Sequence, residues 1–323
     1  MDDVLAYIGR ELPAINDFLE RSTEGLDPIV KPPVRHVLKA GGKRLRPLLT
    51  LLAARAAGLD AGVDPYPLAC SLEILHSATL LHDDILDGAD LRRGDASAHT
   101  VYGKSETILA GDVLLALANR MVAGYGEPRL TDVLSEAILR TVTGEVKEIA
   151  ATRQVDLSED DYLDIITGKT AYLFQGACQA GAILAGADPT LERAAHDYGL
   201  NLGIAFQLVD DALDYVNPSQ VTGKPSGGDL REGKMTMPLI LYLRGLEPAR
   251  SDALKQAIAD DALTESQVSQ VVAAVQQGGY AEAIRQEAQR YIREAAEALK
   301  PFAPGEETSI MGRVLEFVIS RDK

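Results

Sequence analysis

Two short clusters, Asp83-Asp84-Ile85-Leu86-Asp87 and Asp210-Asp211-Ala212-Leu213-Asp214, repeat one spacing of aspartates. On a helix, positions i and i+4 lie on one face, one turn apart. Asp83 and Asp87 therefore point the same way, as do Asp210 and Asp214. Asp84 and Asp211 are rotated by about 100° from that line. Carboxylates one turn apart repel each other. Both clusters interrupt apolar stretches, Ile74 to Leu81 and Leu202 to Val209. A solvated acidic face would scatter its charges instead. Oxygen-only ligands suit Mg²⁺, which keeps several waters and binds through one or two carboxylates plus substrate phosphates. Two such clusters facing each other would clamp a diphosphate.

Cations follow the acids. Leu91-Arg92-Arg93-Gly94 comes just after the first cluster, and adjacent arginines offer bidentate donors to phosphate. Upstream lies Lys39-Ala40-Gly41-Gly42-Lys43-Arg44-Leu45-Arg46-Pro47, where glycines would let the backbone approach an anion. After the second cluster come Gly223-Lys224-Pro225, Gly228-Asp229-Leu230 and Gly233-Lys234-Met235-Thr236. The bland reading of each is a basic surface loop. A long loop inside a compact domain is more often functional.

The elements that position these residues read as helices. Apolar residues recur at helical spacing over Pro67 to Asp90, Glu106 to Gly124, Thr131 to Ala151, Glu159 to Ala187, Leu191 to Val216, Lys234 to Arg244, Glu265 to Gln277 and Ala281 to Ala298. Gly and Pro punctuate them. Ser158 before Asp161, and Thr131 before Ser135, read as helix entries. Nothing reads as a sheet. The expectation is a single all-α domain over 1–323 with more than ten helices. Thr170 to Ala187 is uncharged and long enough to test as a membrane span, but Tyr172, Gln175, Gln179 and three glycines favour a core helix. The net charge of −16 argues against nucleic acid or an anionic membrane as a partner of the bulk surface. Cys70 and Cys178 sit in apolar helical contexts and read as buried free thiols in a reducing compartment. The acidic start, Met1-Asp2-Asp3, lacks a secretory apolar core, so a cytoplasmic location is expected.

Five segments, in order, resemble the trans-isoprenyl diphosphate synthases, or polyprenyl synthetases. They are Gly41 to Pro47 (GGKRLRP), His82 to Gly94 (HDDILDGADLRRG), Gly168 to Ala171 (GKTA), Phe206 to Asp214 (FQLVDDALD) and Gly223 to Pro238 (GKPSGGDLREGKMTMP). The resemblance implies an isoprenoid-synthase helical bundle whose central cavity is lined by the helices carrying both aspartate motifs. It implies ionisation of an allylic diphosphate and attack by isopentenyl diphosphate. Asp83 and Asp87 would hold two Mg²⁺ and Asp210 a third. Asp84, Asp211 and Asp214 would orient ligands and bound water, Asp214 also counting among the metal-site carboxylates. Arg92, Lys169, Lys224 and Lys234 would hold the allylic diphosphate; Lys43, Arg46, His76 and Arg93 would hold isopentenyl diphosphate. Thr170 and Gln207 would turn their oxygens to the developing carbocation. A homodimer is implied, as is peripheral membrane contact for product release. A helical phosphohydrolase using His82 and His36 does not account for the second cluster.

Short-chain members of that family place bulky aromatics four or five residues before the first aspartate. Here Ala78 and Thr79 stand there, with Leu75 and Leu72 farther back on the same face, about 12 and 16 Å from Asp83 along the axis at 1.5 Å per residue. No Phe falls between positions 19 and 173. The expectation is a long product, octaprenyl favoured, for quinone side chains, with Met121 and Leu139 as candidate floor residues. The alternatives are the same chemistry stopped at geranylgeranyl or farnesyl length, and a noncatalytic subunit of a partner synthase, which would be expected to lose some of these aspartates and cations.

Overall fold

A computed structural model describes residues 2–92, 94–216 and 226–321. Arg93 and Lys224 lie outside the described residues. The chain runs through α1 (Asp2–Ser22), α2 (Lys31–Lys39), α3 (Leu45–Ala56), α4 (Tyr66–Leu86), a two-strand hairpin β1 (Leu91–Arg92) and β2 (Asp95–Ala96), α5 (Ala98–Tyr102), α6 (Lys104–Ala123), α7 (Pro128–Ala151) and α8 (Glu159–Ile166). A π-helical turn, Thr167–Ala171, joins α8 to α9 (Tyr172–Leu184), and α10 covers Pro189–Val216. Shorter helices follow, from Gly228–Glu232 to Glu306–Ile319. The hairpin is the one departure from the expectation of no sheet among the described residues.

The chain forms two compact units. The first comprises 1–138, 173–196 and 299–313. Its centre is α4, buried at Leu68, Leu72, Ile74, Leu75, Ala78 and Leu81 and packed chiefly on α6 and α3. A helix apolar on nearly every side belongs in a core. Gly111 of α6 faces His82, and a Cβ there would stand 2.8 Å from the ring carbon Cδ2. His82 Nε2 donates to the Ile108 carbonyl at 3.0 Å, so the ring is a packing group of this contact. His36, the other histidine of the phosphohydrolase alternative, gives its Nε2 to Ala96 O at 2.8 Å and packs edge-on against Tyr102.

The second unit comprises 139–172, 197–298 and 314–323. Its core gathers Tyr162, Leu208, Val209, Tyr215, Leu239, Val271, Val275 and Ile284. Ser158 caps α8, accepting from Asp161 N at 3.0 Å, as its spacing predicts. Thr131 is not a cap, because α7 already starts at Pro128. The expected single helix from Glu159 to Ala187 is three pieces. The break falls where two glycine contacts force close backbone approach, as described below. No helix among the described residues is long and apolar enough to cross a membrane. Cys70 and Cys178 are buried and free.

Candidate active site

In the first unit the aspartate cluster occupies the last turn of α4, with Asp87 as its C-cap. Asp87 N donates to Asp83 O at 2.8 Å, which stacks the two side chains one turn apart. Asp83 is half-buried and Asp87 exposed, whereas Asp84 is buried. Asp84 Oδ1 accepts from Arg92 Nε at 2.5 Å. This bond ties the hairpin to the helix and commits one face of a guanidinium expected to meet phosphate.

The basic segment before α3 divides its work. Arg44 turns inward at φ 47° and pairs with Glu73 at 2.7 Å, both side chains almost fully buried. It also donates to Leu38 O. Lys43 is exposed, and Arg46 stacks its guanidinium 4.8 Å from the Phe174 ring. Ala78 and Leu75 are fully buried, while Thr79 is half-buried and returns its hydroxyl to His76 O at 2.9 Å. Met121 packs at the edge of the same core, but Leu139 is 60 % exposed and so cannot floor a cavity of its own unit.

The second unit builds a tighter arrangement. α7 and the π turn meet backbone to backbone at Gly144 and Gly168; a Cβ on Gly168 would lie 2.8 Å from Gly144 Cα. Gly203 of α10 stands as close to Ala171, where a Cβ would fall 2.6 Å from the Ala171 Cα. These contacts seat Lys169 against Glu145 and Glu148, one residue and one turn past Gly144. They also seat Thr170 against Gln207, one turn past Gly203. Inserted π turns recur at functional sites because they redirect a few side chains within a continuing helix.

A continuous hydrogen-bond chain results. Thr170 Oγ1 donates to Gln207 Oε1 at 2.7 Å, Gln207 Nε2 donates to Asp211 Oδ1 at 2.7 Å, and Tyr162 Oη donates to Asp211 Oδ2 at 2.5 Å. Asp211 is thus held from both sides. Burial pushes its pKa up to about 7, against the pull of the Tyr162 and Gln207 donors, with Asp210 and Glu148 adding repulsion. Burial also pushes Asp229 well above the carboxylate range, helped by Asp211 and Asp214 and opposed by Lys234. Asp214 accepts from the Gly228 and Asp229 amides at 3.2 Å each, anchoring the helix Gly228–Glu232. Asp210 is exposed, with Arg321 Nη2 at 3.3 Å from its Oδ1.

Lys169 pairs with Glu148 and, at 3.0 Å, with Glu145. Burial works to lower its pKa, but Glu148 and Glu145 outweigh this and hold it above the ordinary lysine value. Lys234 lies 2.7 Å from Glu232 and 3.9 Å from Glu148. Lys169, Glu148 and Lys234, with Thr170, Gln207, Asp211, Asp229 and Tyr162, line a cavity of about 110 Å³. The sequence-read residues Lys169, Thr170, Gln207, Asp211 and Lys234 therefore meet in one place. Tyr162, Glu145, Glu148 and Arg321 join the site without having been singled out in the sequence.

Both clusters fit a hard divalent cation. Each lies at the C-terminal end of a helix, with Asp83 and Asp84 in the last turn of α4 and Asp214 in that of α10, where the backbone dipole is negative and cations are favoured. Among the described residues no three acidic or imidazole side chains already converge as a closed metal cage. An ion here would complete its shell with water and phosphate oxygens, as Mg²⁺ does.

The whole chain superposes on a polyprenyl synthase from Caulobacter crescentus CB15, solved with calcium and isoprenyl diphosphate, with a TM-score of 0.93 and 36 % identity over 100 % of this chain and 98 % of that one. That is the all-α isoprenoid synthase fold. A family model for polyprenyl synthetase matches residues 27–275, and the chain belongs to this family of prenyltransferases. It is 36 % identical to the octaprenyl diphosphate synthase of Escherichia coli over 89 % of this chain and 88 % of that protein. It is also 36 % identical to an all-trans-nonaprenyl-diphosphate synthase of Rhodobacter capsulatus, over 92 % and 91 %.

Proposed function

We propose that the chain condenses isopentenyl diphosphate with an allylic diphosphate, farnesyl or geranylgeranyl, to give a long-chain trans-polyprenyl diphosphate of octaprenyl length. The observation that carries the reading is the cavity in which Lys169 and Lys234 stand beside the chain Thr170–Gln207–Asp211–Tyr162. Two cations face the place of a leaving diphosphate, and fixed oxygens lie next to them. Stabilising charge as it develops on a leaving group is the largest lever such a site has.

Lys169, Lys234, Lys224 and Arg92 hold the allylic diphosphate in this reading. Lys43, Arg46, His76 and Arg93 hold isopentenyl diphosphate. Asp83, Asp87 and Asp210, with Asp214 close by, hold up to three Mg²⁺, which supply electrophilic stabilisation of the departing diphosphate. Gln207 can present only its Oε1 to Thr170, because its Nε2 is spent on Asp211. The Thr170 hydroxyl then points its proton at Gln207 and leaves its lone pairs for a carbocation. Asp211 and Tyr162 fix that orientation. Asp84 does the same for Arg92. The long product is supported by fully buried Ala78 and Leu75, small or aliphatic where an aromatic would block the path, and by the octaprenyl and nonaprenyl products of the relatives.

A homodimer is supported by an exposed apolar stripe on α7, Leu139, Val142, Val146 and Ile149, which recurs at helical spacing and has no cover in its own unit. A cytoplasmic enzyme that touches a membrane only to release product is consistent with a chain without an apolar spanning helix among the described residues.

The test is incubation with farnesyl diphosphate, excess isopentenyl diphosphate and Mg²⁺, with chromatography of the dephosphorylated products. Octaprenyl alcohol is expected. No consumption of isopentenyl diphosphate sinks the reading, and a product no longer than geranylgeranyl sinks the chain-length part of it.

A further inference from the structure

The two lysines assigned above to the allylic diphosphate are not waiting with open donors. Lys169 spends donors on Glu148 and Glu145, and Lys234 reaches Glu232 and, more distantly, the same Glu148 oxygen. An ammonium has three donors and no more. Glu148 meets both lysines, and only about a fifth of its side chain is exposed. Glu145 is more buried still, and its Oε1 has no hydrogen-bond partner among the described residues. Asp211, buried, and Asp229, half-buried, stand in the walls of the same cavity. Three carboxylates, Glu148, Glu145 and Glu232, thus hold the two ammonium groups. A diphosphate entering alone has to compete with carboxylates already seated on its binding cations. In a low-dielectric cavity such an exchange of partners is not screened away.

We propose that Glu148 is a built-in counter-anion: it holds Lys169 and Lys234 in place in the empty site, is displaced from them by the metal-bound diphosphate, and returns to expel pyrophosphate. The inference rests on the reading of this cavity as the allylic diphosphate site. It assigns Glu148 a role in setting diphosphate affinity, which distinguishes it from a residue that only braces Lys169. A brace, once weakened, lowers affinity. A competitor, once neutralised, raises it.

The experiment measures the binding of inorganic pyrophosphate with excess Mg²⁺ to the purified full chain by titration calorimetry. Glu148→Gln keeps the shape and an acceptor oxygen but removes the charge. It is expected to tighten pyrophosphate by about five- to tenfold, the scale of relieving a close like-charge contact, and to strengthen product inhibition in the same proportion. Unchanged or weaker binding by the folded variant overturns the proposal. Glu232→Gln relieves Lys234 alone at a half-exposed position and is expected to tighten binding about two- to threefold; it serves if Glu148→Gln does not fold, and unchanged affinity there counts equally against the proposal. Lys169→Met tests the underlying reading separately. If it binds pyrophosphate as well as the wild type, the cavity is not the diphosphate site. If it binds weakly while Glu148→Gln fails to tighten, the site stands and the counter-anion role falls.

Discussion

Replacing Gly144 with alanine tests whether backbone contact between α7 and the π turn builds the site. A Cβ at Gly144 would lie 2.5 Å from the Gly168 carbonyl carbon and 2.8 Å from Gly168 Cα, and nearer still to the Lys169 amide nitrogen. Ordinary carbon contacts begin near 3.5 Å, so the two segments must part by about 1 Å. All the atoms met are backbone, so no side chain can swing aside. Overpacking of this kind costs about 1–3 kcal/mol. The same movement carries Lys169 away from Glu145 and Glu148, and Thr170 away from Gln207. A misplacement of about 1 Å at reacting groups can cost roughly a hundredfold in rate. The assays are urea unfolding followed by circular dichroism, and kcat/KM for the allylic substrate. Gly9→Ala is the control: the site is an exposed turn of α1 with nothing within 4 Å of the added carbon. It is expected to stabilise by about 0.5–1 kcal/mol, as alanine does over glycine inside a helix. A Gly144→Ala protein with wild-type stability and wild-type kcat/KM refutes the reasoning.

Other outcomes follow from the same geometry. Ala78→Phe is expected to shorten the product, read by chromatography, at a packing cost of about 1–3 kcal/mol; an unaltered product length places the growing chain elsewhere. Glu73→Ala leaves the buried Arg44 guanidinium without its carboxylate and is expected to cost about 3–5 kcal/mol in urea unfolding; an unshifted midpoint contradicts the buried-pair account. Asp211 gives a pH signature. Its folded pKa is raised from 3.8 to about 7, so the stability it contributes is full below the unfolded value and is lost as pH rises towards 7. In the metal-free protein, wild type should therefore lose a few kcal/mol relative to Asp211→Asn between pH 4 and pH 8, and parallel pH profiles of the two would exclude an ionisable buried Asp211.

The aspartate clusters were legible in sequence because carboxylates one turn apart inside apolar helices are costly without a cation. The Gly-Lys-Thr-Ala motif was legible too, but its conformation was not. Glu159 to Ala187 carries one apolar rhythm, and nothing local announces that Thr167–Ala171 winds as a π turn. The cause is tertiary: Gly144 and Gly203 press on this segment from two other helices. The same gap hid Glu145 and Glu148. In Gly144-Glu145-Val146-Lys147-Glu148 they look like the charged face of an exposed helix, and Lys147 does project outward to Asp164. Only the glycine contact turns the two glutamates onto Lys169. Arg44 went the other way. Grouped in sequence with Lys43 and Arg46 as a phosphate cation, it is buried on Glu73, and its positive φ is what points it inward. Thr131 failed as a helix start because Pro128 supplies a better one, its fixed φ suiting the first turn.

The central claim is that the cavity between Lys169 and Lys234 receives the allylic diphosphate. A crystal structure of the protein with Mg²⁺ and a non-reactive allylic thiodiphosphate tests it most directly. The account predicts phosphate oxygens about 2.7–2.9 Å from the Nζ atoms of Lys169 and Lys234, with Glu148 withdrawn from both. A diphosphate bound elsewhere, with Lys169 still paired to Glu148 and Glu145, would contradict it.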